Sequence, residues 1–249
     1  MLLKRIFQFL MVWFAGVGLL LALKAGMGLS DYVIPGPAGI WAAGKDVFVR
    51  YLGDVLNTFS VAVAGQAISI VLALTVGIIG RQATWFGAMI KVAAYNVQAY
   101  PIVAIAPILF ILLGDGVFTR LIIAAMICYF PLLLSVIGIM SEPVSDIEHF
   151  YRVTGRLRWQ LEVKIRAFEN LGKLTTVISG SATLAMAGAI VSEFIAADAG
   201  IGYSIRVALY QSDLSKILVA LFIIGITLSI YQGILELFGT GLKKAWTAS

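Results

Sequence analysis

His149 and Cys128 are the only histidine and the only cysteine among 249 residues, so the two side chains most used for metal binding and nucleophilic attack occur once each. A tetrahedral metal site needs about four such ligands, and a catalytic triad needs a nucleophile, a base and an orienting group. Neither set can be assembled, and no paired catalytic carboxylates replace them. ATP chemistry is missing as well. Gly44-Lys45 and Gly172-Lys173 both lack the upstream glycine and the following hydroxyl residue of a phosphate-binding loop. The chain is therefore not expected to be an enzyme, and any ATP-driven activity requires a separate subunit. What stands out instead is polarity in apolar surroundings. Tyr95, Asn96, Gln98 and Tyr100 cluster just before Pro101, and Glu193 follows nineteen uncharged residues. The first four either line a solute pathway or bond between helices. Glu193 either acts in a pathway or gate, or sits near the end of its span and reaches water. Gln66 reads as an interhelical hydrogen-bonding residue.

The elements that position these groups follow from composition. Hydrophobic residues make up 61% and charged residues 12%, against about 45–50% and about 25% in soluble chains. A water-soluble enzyme, a disordered chain and a disulfide scaffold are excluded. In hydrocarbon every backbone amide and carbonyl must be satisfied internally, which leaves helices or a closed barrel. Barrel strands would alternate over roughly ten residues; here the apolar runs are unbroken. They are Ile6–Leu23, Val55–Gly80, Val92–Gly114, Leu121–Ser141, Leu174–Ser192 and Ile217–Leu235, each near the ~20 residues that cross a bilayer. The fold class is thus an all-α integral membrane protein with six transmembrane helices. The first run is expected to be retained, because Lys24-Ala-Gly-Met is a poor signal-peptide cleavage site.

Twelve of the eighteen Lys and Arg residues fall in one alternate set of loops and six in the other, which places both termini in the cytoplasm. The net charge of +5 needs no nucleic-acid partner. Residues 1–54 are expected to form a first helix plus an outer amphipathic segment, with Trp41 and Phe48 as interface anchors. Residues 55–249 form the core. Gly77, Gly188 and Gly225 read as close-packing points. No basic residue is expected to be buried in a span, so no fixed anion site is expected.

The inner loop, about residues 142–173, is the only charge-dense segment, with six basic and five acidic residues. Near-neutrality argues against lipid or nucleic-acid binding. Ser145-Asp-Ile-Glu148 fits a capping box. A short helix would follow to Thr154, Gly155 would stop it, and a second would run from Arg158 to about Phe168. That grammar suits a helical hairpin facing water or another protein.

Several motifs now resemble one family, the permease subunits of bacterial binding-protein-dependent ABC importers, and within it the nitrate, sulfonate, taurine and bicarbonate branch, which also includes importers of pyrimidine precursors. The family's loop signature is Glu-Ala-Ala, three residues, Gly, nine residues, Ile-x-Leu-Pro. Gly155 and Ile165 keep that spacing; His149-Phe150-Tyr151 and Ala167-Phe168 depart from it. Gly155-Arg-Leu-Arg-Trp-Gln, Pro101-Ile-Val-Ala-Ile-Ala-Pro107, Phe130-Pro131, Ser192-Glu193-Phe194 and Gly200-Ile-Gly-Tyr203 occur in the family's order.

The resemblance implies a coupling helix in the inner loop, seated in a cleft of an ATP-binding subunit. Phe150, Tyr151 and Val153 would fill the cleft, Arg152, Arg156 and Arg158 would line its rim, and Glu148 would replace the family glutamate beside His149. It also implies a second permease copy or paralogue, an extracytoplasmic substrate-binding protein, and ATP with Mg on the partner subunit but no cofactor in this chain. The expected setting is the bacterial cytoplasmic membrane. The expected function is import of a small hydrophilic solute (an oxyanion, an organosulfonate or a pyrimidine-type precursor) by alternating access. The alternative is a stand-alone ion-coupled transporter, for which only Glu193 could carry the ion.

Overall fold

The computed structural model describes residues 2–80, 85–99, 101–142, 149, 153 and 159–247. Among them are nine helices: α1 Leu2–Met27, α2 Pro37–Gly80, α3 Trp85–Ala99, α4 Ile102–Leu113, α5 Val117–Ser141, α6 Trp159–Glu169, α7 Leu171–Ala196, α8 Ile201–Tyr210 and α9 Leu214–Thr247. Five of them, α1, α2, α5, α7 and α9, are long and apolar enough to cross a membrane alone.

The third apolar run is not one straight span. It is built as α3 and α4, bent by 89° where Pro101 intervenes. At 1.5 Å per residue the two pieces are about 22 and 18 Å long, each short of the ~30 Å hydrocarbon core. Proline has no N–H to donate and crowds the preceding turn, so the helix breaks there and restarts with Pro101 as its N-cap. The pair makes the sixth candidate crossing.

Nor is the outer amphipathic segment a separate element. α2 runs unbroken for 44 residues, about 66 Å, so residues 37–54 continue directly into the second span. Lys45, Asp46, Arg50 and Asp54 lie on this extension. Trp41 is 69% exposed there, with the Lys45 ammonium 5.5 Å from its ring centre.

α2, α5 and α7 form the centre, and small residues let them approach. A Cβ on Gly188 would stand 2.8 Å from Ala124 Cα, and one on Gly65 would stand 3.1 Å from Ala124 Cβ. Two helices therefore close on one alanine of α5 from different sides. Gly77 lies against Val136 and Gly225 against the Phe9 ring, in keeping with close packing at these points. Several polar atoms inside are bonded across helices. Gln66 donates to the Ile178 carbonyl (2.8 Å) and to Ser181 (3.0 Å), and accepts from the Tyr231 hydroxyl (2.7 Å), joining α2, α7 and α9. Ser69 reaches the Ala125 carbonyl at 2.8 Å. α1 has no buried residue. It lies on α9 through Phe9 and Trp13 on Phe222, and through Arg5 bonded to Glu236 and Gln232.

The crowding at Ala124 gives a direct test. Gly188→Ala should destabilise the protein by about 1–3 kcal/mol, the usual range for overpacking. Gly138→Ala, where nothing lies within 4 Å, should leave the unfolding temperature in detergent unchanged. Equal temperatures for the two variants would contradict the close approach.

Candidate functional site

Glu193 lies in the last turn of α7, and its side chain has no exposure. An ionised carboxylate in such a place needs partners on both oxygens, and three other helices supply them. Arg120, in the first turn of α5, places Nη1 3.2 Å from Oε1. Thr58 of α2 places its hydroxyl 2.7 Å from Oε2. The Gly202 amide, in the first turn of α8, donates to Oε2 at 3.0 Å. A helix N-terminus carries partial positive charge and exposed amides, so α8 stabilises the carboxylate by its position. Arg120 itself is only 6% exposed and also reaches Asn57 Oδ1 at 3.4 Å. Its Nε is buried without a hydrogen-bond partner.

The chain between α7 and α8 is shaped by this carboxylate. Gly200 has φ +94°, and a Cβ there would lie 2.3 Å from Glu193 Cδ. One on Gly202 would meet the Ile190 carbonyl at 2.4 Å. The two glycines of Gly200-Ile-Gly-Tyr203 thus let α8 fold back over the acid. Further bonds fasten it. The Ile201 amide donates to Thr58 (2.9 Å), Ser204 donates to Asp54 (2.6 Å), and Arg206 donates to the carbonyls of Phe194, Ile195 and Ala197. That arginine satisfies the end of α7, where carbonyls lack intrahelical partners. The result is a clasp of α2, α5, α7 and α8 at one end of the bundle.

The expectation that no basic residue is buried in a span is corrected by Arg120. Its charge put it in a loop by rule, whereas the ion pair with Glu193 offsets the cost of burying it in the first turn of α5. A lone acid at the end of one span and a lone base at the matching end of another was the available signal. Asn57 and Thr58, also missed, carry no charge and had none.

Tyr95 and Asn96 are exposed on α3, Tyr95 at 64%. The Gln98 side chain and Tyr100 lie outside the described residues, and neither Tyr95 nor Asn96 is among the side chains bonded to Glu193. In the inner loop, Glu148, Phe150, Tyr151, Arg152, Gly155, Arg156 and Arg158 are likewise outside the described residues. His149 and Val153 are helical and exposed. The loop is anchored at both ends: Lys173, at the start of α7, pairs with Glu142, which closes α5, and Arg166 of α6 bonds to the Glu142 carbonyl and to Glu162 (3.1 Å).

Residues 69–244 match the model of the binding-protein-dependent transport system inner membrane component. The riboflavin transport system permease protein RibX of Chloroflexus aurantiacus is 32% identical over 93% of this chain and 88% of its own length. The formylaminopyrimidine transport permease protein ThiX of Halalkalibacterium halodurans is 23% identical, covering 82% of each chain. A probable ABC transporter permease protein of Haemophilus influenzae is 28% identical over 55% of this chain and 56% of its own.

Removing one partner of a buried ion pair leaves an uncompensated charge and costs about 3–5 kcal/mol. Glu193→Ala should therefore lower the unfolding temperature of the purified protein strongly. The double variant Glu193→Ala/Arg120→Met should recover part of the loss. Strictly additive effects would mean that the two side chains do not act as a pair.

Proposed function

The chain belongs to the binding-protein-dependent transport system inner membrane components, a non-catalytic, multi-pass membrane subunit of an ABC transport system, and we propose that it imports a small heterocyclic solute by alternating access. The carrying observation is the family match over residues 69–244, which spans the inner loop and the α5, α7 and α8 parts of the clasp. ATP and Mg act on a separate ATP-binding subunit at the loop. A second permease copy or paralogue completes the pathway, a substrate-binding protein docks at the α8 end, and both termini face the cytoplasm.

Force transfer follows from how α5 and α7 are joined. They flank the loop. Glu142 and Lys173 tie them at the loop end, Gly188 meets Ala124 between, and Arg120 holds Glu193 at the far end. Interiors this closely packed transmit displacement rather than absorb it. When nucleotide draws the ATP-binding subunits together, the loop follows, and α5 and α7 turn as one body. The displacement then reaches the clasp, which opens or closes the outer mouth. In this scheme Phe150 and Tyr151 fill the motor's cleft, with Glu148, His149, Arg152, Arg156 and Arg158 around them and Gly155 turning the hairpin. Tyr95, Asn96, Gln98 and Tyr100 line the path between.

For the solute, two relatives aligned over most of their length are named for riboflavin and formylaminopyrimidine transport. They favour the pyrimidine-type end of the expected range over oxyanions and sulfonates.

Proteoliposomes holding the permease, its ATP-binding subunit and its binding protein should take up labelled riboflavin or formylaminopyrimidine only with ATP. Gly155→Pro or Tyr151→Asp should leave ATP hydrolysis running while uptake falls at least about ten-fold, a barrier change of ~1.4 kcal/mol. Uptake of taurine or nitrate in place of a heterocycle would overturn the solute assignment. Uptake without ATP would overturn the mechanism.

A further inference from the structure

α8 shows two opposite faces. Ile201, Gly202, Ser204 and Ala208 are buried against the clasp. Tyr203, Arg206, Val207 and Tyr210 recur at i, i+3, i+4 and i+7, the spacing that places residues on one helix face. On an exposed helix such a stripe is ordinarily charged and polar; here two of its four residues are tyrosines and one is valine, and Tyr210 is 82% exposed. Together with Phe194 and Ile195 at the end of α7, the stripe lines a cleft of about 590 Å³. That volume falls in the range of about 300–1,000 Å³ typical of small-molecule sites.

Arg206 gives the cleft a fixed polar group. Three of its hydrogen bonds run to the carbonyls of Phe194, Ile195 and Ala197, and its guanidinium carbon lies 5.3 Å from the centre of the Tyr203 ring. A guanidinium has five N–H groups, so two remain after these bonds. A guanidinium fixed beside a phenol ring puts hydrogen-bond donors next to an aromatic surface. Electron-rich phenol rings stack on electron-poor planar rings, and the remaining N–H groups can donate to a ring carbonyl or nitrogen. A small oxyanion would use the donors and leave the rings idle.

We propose that this cleft is an entrance subsite that takes a planar, electron-poor nitrogen heterocycle against the Tyr203 and Tyr210 rings, with Arg206 donating to its edge. The proposal rests on the heterocycle reading of the solute and adds where the ring first meets the chain. Because the clasp fixes α8, opening of the α8 end carries the stripe with it and changes the separation from facing walls of the pathway. The bound ring would then be released inward.

Riboflavin serves as the probe, since stacking against tyrosine quenches its fluorescence. The complete transporter in nanodiscs, titrated with riboflavin, should quench it saturably. Tyr203→Leu and Tyr210→Leu keep apolar volume but remove the ring, and each should raise the apparent Kd roughly ten-fold, in line with stacking measured between aromatic side chains and bases. Tyr203→Phe should restore near-normal binding. In uptake assays the Leu variants should raise KM while the maximal rate stays within about two-fold. If wild-type transporter imports a heterocycle and both Leu variants bind and transport it normally, the cleft proposal is overturned while the solute reading stands. Loss of binding-protein docking with quenching intact would also overturn it, marking the stripe as a protein contact. If wild-type transporter imports no heterocycle, the underlying solute reading falls and the subsite falls with it.

Discussion

A carboxylate with no access to water governs how one end of this protein is built. Glu193 is tolerable inside the bundle only because Arg120, Thr58 and the Gly202 amide of α8 reach it from three other helices. Each partner brings a constraint. Arg120 fixes the start of α5, Thr58 fixes the level of α2, and the approach of α8 requires residues without a Cβ at positions 200 and 202. In a low-dielectric setting a fully satisfied polar cluster rigidifies its surroundings, whereas a partly satisfied one destabilises them. The four helices meet where they do because an acid sits where hydrocarbon would otherwise forbid it.

The opposite end is organised differently. There Glu142 and Lys173, both partly exposed, close the base of a loop whose charges are nearly balanced. Exposed pairs of this kind contribute about 0–1 kcal/mol, so they set direction more than they add stability. α5 and α7 are thus joined tightly at the clasp, closely at Ala124 and loosely at the loop. That gradient suits a body driven from the loose end. Beyond it, α8 presents Tyr203, Arg206 and Tyr210 outward, held in place by the same bonds that bury Glu193.

Much of this was readable from the residues alone, and two of the failures share one cause. Unbroken apolar length locates all six candidate crossings, because hydrocarbon leaves the backbone no other option. Gly77, Gly188 and Gly225 were legible as contact points because a glycine inside a span has few other uses. But reading spans between charges forces every charged residue out of a span. That rule hid Arg120, which is buried in α5. It also cut α2 at Asp54, although Lys45, Asp46, Arg50 and Asp54 all sit on one continuous helix. Pro101 marked a break in the third run without fixing its angle, since a proline removes a hydrogen bond but neighbouring helices decide how far the chain turns. The aromatic stripe of α8 was read only as part of a motif. Its face becomes visible once Gly202 and Ser204 are known to point inward.

By the proposed mechanism, this chain takes mechanical work through its inner loop from an ATP-binding neighbour. His149 is exposed within that loop, which makes it a natural reporter. A photocrosslinking amino acid placed at position 149 in the intact transporter, in native membranes, tests the claim most directly. The account predicts a cross-link to the ATP-binding subunit whose yield changes when nucleotide is trapped with vanadate. No cross-link to that subunit, in membranes where uptake proceeds at the normal rate, would contradict it.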